Sequence, residues 1–253
     1  MQVKSEAPPQ ELKLFIDGQW VDAGPPIEVH NKYSGEVLAT LPSARQQEVD
    51  AAFGAAERAA QVMADMPAHK RADILARASA LIRQRGDELA RSIAAEAGKA
   101  LKFARAEVDR GATTFAVAAE EAKRIHGETV PLDAVPAGEG YFGFFVRRPL
   151  GVIVAISPFT FPLNLVAHKV APALAAGNSV VLKPATSTPI TAVKLCQILA
   201  EAGLPAGALN LVVGPGGTVG ERLVSDRPAA KVTVTRSPAV GKRITEIAGI
   251  KKI

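Results

Sequence analysis

The 253-residue chain holds a single cysteine, Cys196, so no disulfide can form within it, and its default setting is a reducing compartment such as the cytoplasm. Aromatic residues are equally scarce: one Trp, two Tyr and nine Phe, none interleaved with basic residues in the manner that stacks bases. Although the net charge is +5, the 30 Lys and Arg are dispersed rather than gathered into a stripe, which argues against nucleic acid as a partner. No apolar run approaches the roughly 20 residues that span a bilayer, and the opening "MQVKSEAPPQELK" has no signal-peptide core, so a membrane partner is not expected. The four histidines, His30, His69, His126 and His168, lie far apart without ligand spacing, and no metal site is expected.

What the chain does have is patterning. Residues 1–10 read as a loose, proline-bearing tail. "LKLFIDGQWVDAG" alternates as a strand hairpin turning at Asp17-Gly18. Three alanine-rich helices are predicted at about 46–64, 67–95 and 99–126 from apolar residues recurring every three or four positions. From "GYFGFFVRRPLGVIVAIS" onward the texture changes to short Val/Ile/Leu strands alternating with helices. The strands are predicted at 151–157, 179–183, 208–213 and 231–235, and the helices at 164–176, 189–202, 218–225 and 238–248. Near-continuous apolar strands that alternate with helices imply an α/β fold, a Rossmann-like doubly wound parallel sheet whose ligands bind at the carboxyl ends of its strands.

Three strand ends carry polar or glycine-rich turns. In "VVLKPAT", Lys183 follows a buried strand directly, where its ammonium either reaches a ribose or phosphate or is simply solvated. In "VVGPGGTVG", Gly214, Gly216, Gly217 and Gly220 would let backbone N–H groups approach a pyrophosphate, or would merely make a flexible connection, since the spacing is not that of the dinucleotide fingerprint. In "VTVTRSPAVG", Ser237 suits a helix N-cap and Pro238 the first helical position, and the helix start would favour an anion. Arg236 in that turn has two readings: a charge-assisted contact to phosphate, or bulk filling space that glycine would leave open. Cys196, inside "AVKLCQILAEAG", reads as a buried structural thiol, and "EAGK" as a charged pair, Glu96 with Lys99, at a helix junction.

Taken together, "EAGK", "RRPLGVIVAISPFTFPLN", "KVAPALAAGNSVVLKPATSTP", "EAGLPAGALNLVVGPGG" and "KVTVTRSPAVGKRI" resemble the aldehyde dehydrogenase superfamily in order and spacing over about 11–250, leaning toward its bacterial lactaldehyde or succinate-semialdehyde branches. The resemblance implies a nicotinamide nucleotide, NAD or NADP, bound by residues 11–127 and 151–253, with 128–150 as the hairpin of an oligomerisation arm. It implies cofactor contacts at Ser157, Lys183, Ala185, Thr186, Gly216, Gly217, Gly220, Ser237 and Val240. Lys183 matches the lysine at the adenosine ribose, Ser237 the serine near the pyrophosphate, and Gly216 and Gly217 the turn beside the adenine. Thr186 stands where NAD-restricted members carry a glutamate, which leaves NADP acceptable.

Departures from the family pattern are as informative as the matches. Thr160 replaces an asparagine that donates to the oxyanion, a loss worth on the order of 10²–10³ in rate. Arg236 replaces a glycine where the backbone passes the nicotinamide ring, and Pro238 a threonine, so cofactor placement is expected to be hindered. The family's glutamate base and cysteine nucleophile have no counterpart in these 253 residues, and Cys196 maps instead to a helix flanking the cofactor sheet. The expectation is a cofactor-binding half without its catalytic domain, inactive alone and self-associating as a dimer or larger through unpaired strand edges. The alternative is a non-catalytic nucleotide-binding or oligomeric interaction module.

Overall fold

The computed structural model describes residues 8–226 and 228–253, so most of the expected N-terminal tail lies outside the described residues. Gln10 already belongs to a strand, β1 (Gln10–Glu11), which pairs in parallel with β5 (Val37–Pro42), and β5 pairs antiparallel with β4 (Pro26–His30). This small sheet was absent from the sequence expectation, although "IEVHNKYSGEVLATLP" alternates and turns at Gly35, whose φ of 76° suits glycine.

The main sheet has six strands in the order β11-β8-β9-β10-β2-β3. Its parallel part comprises β8 (Val152–Ile156), β9 (Ser179–Lys183), β10 (Leu209–Leu211) and β11 (Ala229–Val234). Every residue of β8, β9 and β10 is buried, as expected for strands covered by helices on both faces. The hairpin β2 (Leu14–Ile16) and β3 (Gln19–Val21) extends this sheet antiparallel to β10. Asp17 and Gly18, at φ of 53° and 75°, form the expected tight turn, and Asn210 Oδ1 accepts from Asp17 N–H at 2.9 Å, which locks the hairpin to β10. The α/β doubly wound expectation therefore holds.

The helices are α1 (Gln46–Asp65), α2 (Ala68–Gln84), α3 (Gly86–Ala97), α4 (Leu101–Ala122), α5 (Asn164–Ala175), α6 (Ile190–Glu201), α7 (Glu221–Ser225) and α8 (Pro238–Ala248). One correction concerns the single helix expected over 67–95: it is broken at Arg85, whose ψ of 21° leaves the helical region, and α3 restarts at Gly86 with Asp87 and Glu88 in its first turn. Glycine weakens a helix interior and acids favour a new N-terminus, so the break was written in "RGDE". Another concerns 218–225, where a wide turn of π-helical type, Gly216–Gly220, precedes the short α7. The expected hairpin at 128–150 is present as β6 (Glu128–Val130) paired antiparallel with β7 (Gly143–Phe145).

Two buried carboxylates fasten the helices over the sheet. Glu107 on α4 accepts from the backbone N–H groups of Leu163 (2.9 Å) and Asn164 (3.2 Å) at the start of α5, and its other oxygen holds Lys99 Nζ. Glu96 on α3 does the same for α6, accepting from Ile190 N–H (2.7 Å), Thr191 N–H (3.0 Å) and the Thr191 hydroxyl. Glu96 and Lys99 are thus not a pair with each other, as "EAGK" suggested; each is bound to a different partner. Burial pushes the Glu96 carboxyl up to about 7, against the pull of those three donors. Removing Glu107 would leave two helix-start N–H groups and a largely buried ammonium without their acceptor. Glu107→Ala should therefore cost about 3–5 kcal/mol in urea unfolding, and a loss below about 1 kcal/mol would refute this bracing role.

Candidate functional site

Strands β8, β9 and β10 step outward in one direction, and β11 then returns to the opposite side of β8. The crevice beyond the carboxyl ends of β8 and β11 is therefore the topological switch point, where doubly wound sheets bind ligands. A cavity of about 390 Å³ opens there, lined on one side by Ile156, Gly216, Gly217 and Gly220 and on the other by Arg236, Val240 and Arg243.

The expected residues gather around this cavity unevenly. Gly216, Gly217, Gly220 and Val240 form its walls, and Gly216 and Gly217 have nothing within 4 Å of where a Cβ would stand. A Cβ on Gly220 would stand 3.7 Å from Cε of Lys183, so Lys183 packs directly behind the glycine turn. Ala185 is buried in the loop after β9, and the Thr186 hydroxyl donates to the Gly214 carbonyl at 2.8 Å, tying that loop to the glycine turn. Ser237 does occupy the N-cap of α8, but its side chain makes no cap hydrogen bond; its carbonyl accepts from Gly241 N–H at 2.9 Å. The hydroxyl is left facing solvent rather than closing the helix end. Thr160 is exposed in the turn after β8, and its carbonyl accepts from Lys99 Nζ at 2.9 Å.

Among the described residues, two buried polar groups beside the crevice are poorly satisfied. Ser157, 1% exposed and next to the cavity-lining Ile156, has a hydroxyl with no hydrogen-bond partner among the described residues. Lys183, also 1% exposed, makes only a 3.5 Å contact to the Pro184 carbonyl and no ion pair among the described residues. Burial, with a smaller contribution from Arg236, lowers its ammonium to about 8. A buried ammonium without an ion-pair partner and a buried hydroxyl without a hydrogen bond both cost free energy, and a bound polar ligand would relieve it.

Sequence reasoning passed over Lys169. It lies on the buried face of α5, donates to the Thr235 hydroxyl at 2.6 Å, and has its pKa lowered by burial and by Arg236. The signal was available, since a lysine inside "LVAHKVAPALA" interrupts an otherwise apolar helix face. Cys196 lies fully buried in α6, where burial pushes its thiol well above the ordinary range and leaves no thiolate to act as a nucleophile.

Residues 20–253 match the model of the aldehyde dehydrogenase family. The chain belongs to that family. It is 43% identical over 244 residues to the 3-sulfolactaldehyde dehydrogenase of Priestia aryabhattai, covering 96% of this chain and 51% of the relative. It is 38% identical, again over 244 residues, to the lactaldehyde dehydrogenase of Methanocaldococcus jannaschii, covering 95% and 51%. Among solved structures, the NADP-dependent glyceraldehyde-3-phosphate dehydrogenase of Bacillus halodurans complexed with NADP superposes with a TM-score of 0.93 at 36% identity, over 96% of this chain and 52% of that one. The chain spans about half the length of the curated relatives it matches. Among the described residues of this family member, no helix is long and apolar enough to cross a membrane.

The buried lysine gives this aldehyde dehydrogenase family chain a pH signature. Between about 8 and the ordinary lysine value of 10.5 the unfolded chain still holds the Lys183 proton while the folded chain has released it, so folded stability from this group rises with pH. Lys183→Met should accordingly be more stable than the parent near neutral pH. That advantage should shrink by about 3 kcal/mol when urea unfolding is repeated near pH 10.5. An advantage that stays constant across this range would contradict the buried, unpaired ammonium.

Proposed function

We propose that this chain binds a nicotinamide dinucleotide in the switch-point crevice and forms the cofactor-binding portion of an aldehyde-oxidising dehydrogenase. The observation that carries the reading is Lys183, a buried ammonium without an anion, set behind a glycine turn that leaves the crevice open beside the orphaned Ser157 hydroxyl. Those groups fit a ligand that brings hydroxyls and phosphates. In this reading Lys183, Ala185 and Thr186 hold the adenosine side, Gly216, Gly217 and Gly220 border the adenine and pyrophosphate, and Ser157, Ser237 and Val240 line the remaining path. The cofactor, when bound, supplies the hydride acceptor.

Thr186 brings no negative charge to the ribose, which supports acceptance of the additional phosphate of NADP as well as NAD; the relative complexed with NADP is consistent with that. Thr160 takes the oxyanion-donor position, with its backbone held by Lys99. Residues 11–127 and 151–253 make up the cofactor-binding domain and 128–150 the oligomerisation arm. The single cysteine fits a cytoplasmic setting.

Turnover by these 253 residues alone is not part of the reading, because their sole cysteine is sealed inside α6. Calorimetric titration should give saturable binding of NADP or NAD tighter than about 1 mM, with no aldehyde-dependent reduction of either. Weaker binding of both would overturn the nucleotide reading. Formation of reduced cofactor with aldehyde would overturn the inactivity.

The arm supports self-association. Phe142 is 78% exposed and Phe144 65% exposed, alongside exposed Tyr141, Phe145 and Val146, an apolar ribbon that a lone chain would leave in water. Light scattering should give a dimer or larger species, converted to monomer by Phe142→Asp with Phe144→Asp. A monomeric parent chain at all concentrations would overturn it.

A further inference from the structure

Arg236 lines the cavity opposite the glycine turn, with an exposed side chain and neither a hydrogen bond nor an ion pair among the described residues. It is not free to neutralise itself locally. The carboxylate among the lining residues, Glu221, is taken on both oxygens by Arg243, at 3.1 Å from Nε to Oε1 and 3.1 Å from Nη2 to Oε2. The neighbouring charges are like ones: Lys183 lies behind the glycine turn, and Lys169 is bound to Thr235, the residue before Arg236. Both lysines are buried, and both lose basicity chiefly through that burial and to a smaller degree through repulsion from Arg236. Arg236 thus faces the crevice with a buried lysine, Lys183, directly behind the opposing glycine turn and a second, Lys169, held to the residue before it, and none of the three is ion-paired among the described residues. Mutual repulsion of this kind is relieved by an anion seated among them.

We propose that Arg236 is a phosphate ligand, a cation on the crevice wall that forms an anion-binding clamp with Lys183 behind the glycine turn. The inference rests on the nucleotide reading of this cavity and takes the first of the two readings that local sequence left open for Arg236, a charge that recruits phosphate, over the obstruction that the family resemblance implied. A guanidinium suits this task, since its planar array of donors can engage two phosphate oxygens together. The ligand class is a nucleoside diphosphate or a dinucleotide carrying that group, with inorganic pyrophosphate as its smallest form.

The test is calorimetric titration of the folded 253-residue chain with ADP, inorganic pyrophosphate, NADP and adenosine, for the parent, Arg236→Gly and Arg236→Lys. Because Arg236 is exposed and unbonded, neither variant should alter the fold, and matching thermal transitions check this. The clamp predicts that Arg236→Gly weakens ADP and pyrophosphate by on the order of tenfold or more, that Arg236→Lys recovers part of the loss, and that adenosine is indifferent to all three. Unchanged or tighter ADP and pyrophosphate binding in Arg236→Gly would overturn the clamp, while NADP binding by the parent would leave the nucleotide reading standing. Failure of the parent to bind any of the phosphorylated ligands would overturn both. Pyrophosphate binding that depends on Arg236, with no NADP binding, would uphold the clamp and remove the dinucleotide.

Discussion

The arrangement of the crevice depends on one buried carboxylate. Glu107 receives the first N–H groups of α5 with one oxygen and the Lys99 ammonium with the other, and Lys99 in turn holds the Thr160 carbonyl while its ammonium lies 4.0 Å from the Phe161 ring centroid. The loop that leaves β8 is therefore pinned at its middle and at its end. A charge so placed is stabilising only because every one of its neighbours is a donor or a cation. An uncompensated carboxylate at that depth would cost several kcal/mol. Glu96 repeats the device for α6, so α5 and α6, the first two crossover helices of the parallel sheet, each start from a carboxylate supplied by the layer of helices above.

These braces fix one side of the crevice, and the other side is fixed by tight local geometry rather than by charge. The Thr186 hydroxyl ties the loop after β9 to Gly214, and the wide turn of Gly216–Gly220 passes close over Lys183. The consequence is an asymmetry of electrostatics: acids are spent on helix starts within the fold, while the strand ends keep cations without acids. A fold that buries two lysines at the end of its sheet and satisfies neither with a carboxylate is less stable than an apolar version would be. The deficit is localised at the switch point, which is where a ligand contributes most.

Much of this was legible in the chain. Continuous apolar runs such as "VIVAI" and "SVVLK" gave the parallel sheet, Asp17-Gly18 gave the hairpin, and the family motifs located the glycine turn and Lys183. What escaped were features settled by tertiary contact. "EAGK" looks like a local pair because Glu96 and Lys99 are three residues apart, yet their partners lie about a hundred residues on for Glu96 and on α4 for Lys99. Ser237 has the sequence of a helix cap, but no cap bond forms from its side chain. The β4–β5 sheet was missed even though its segment alternates, because its strands are only partly buried and polar residues such as Glu28 and Thr40 interrupt their apolar pattern.

Arg236 illustrates the deeper limit. Local sequence leaves Arg236 two meanings, and the family resemblance decides between them by the residue it replaces, so that a bulky side chain in place of glycine reads as obstruction. In the folded chain its meaning follows from its neighbours, and those are two buried lysines and a glutamate already engaged by Arg243. Obstruction depends on volume and would be felt by any ligand entering the crevice. Charge convergence discriminates: it is unfavourable to cations, indifferent to neutral groups and favourable to phosphate. Arg236 lines the cavity and so takes up space there, but an unpaired guanidinium near buried lysines also sets the sign of charge the crevice admits, and the two effects separate by ligand: volume is felt by adenosine and ADP alike, charge by ADP and pyrophosphate but not adenosine.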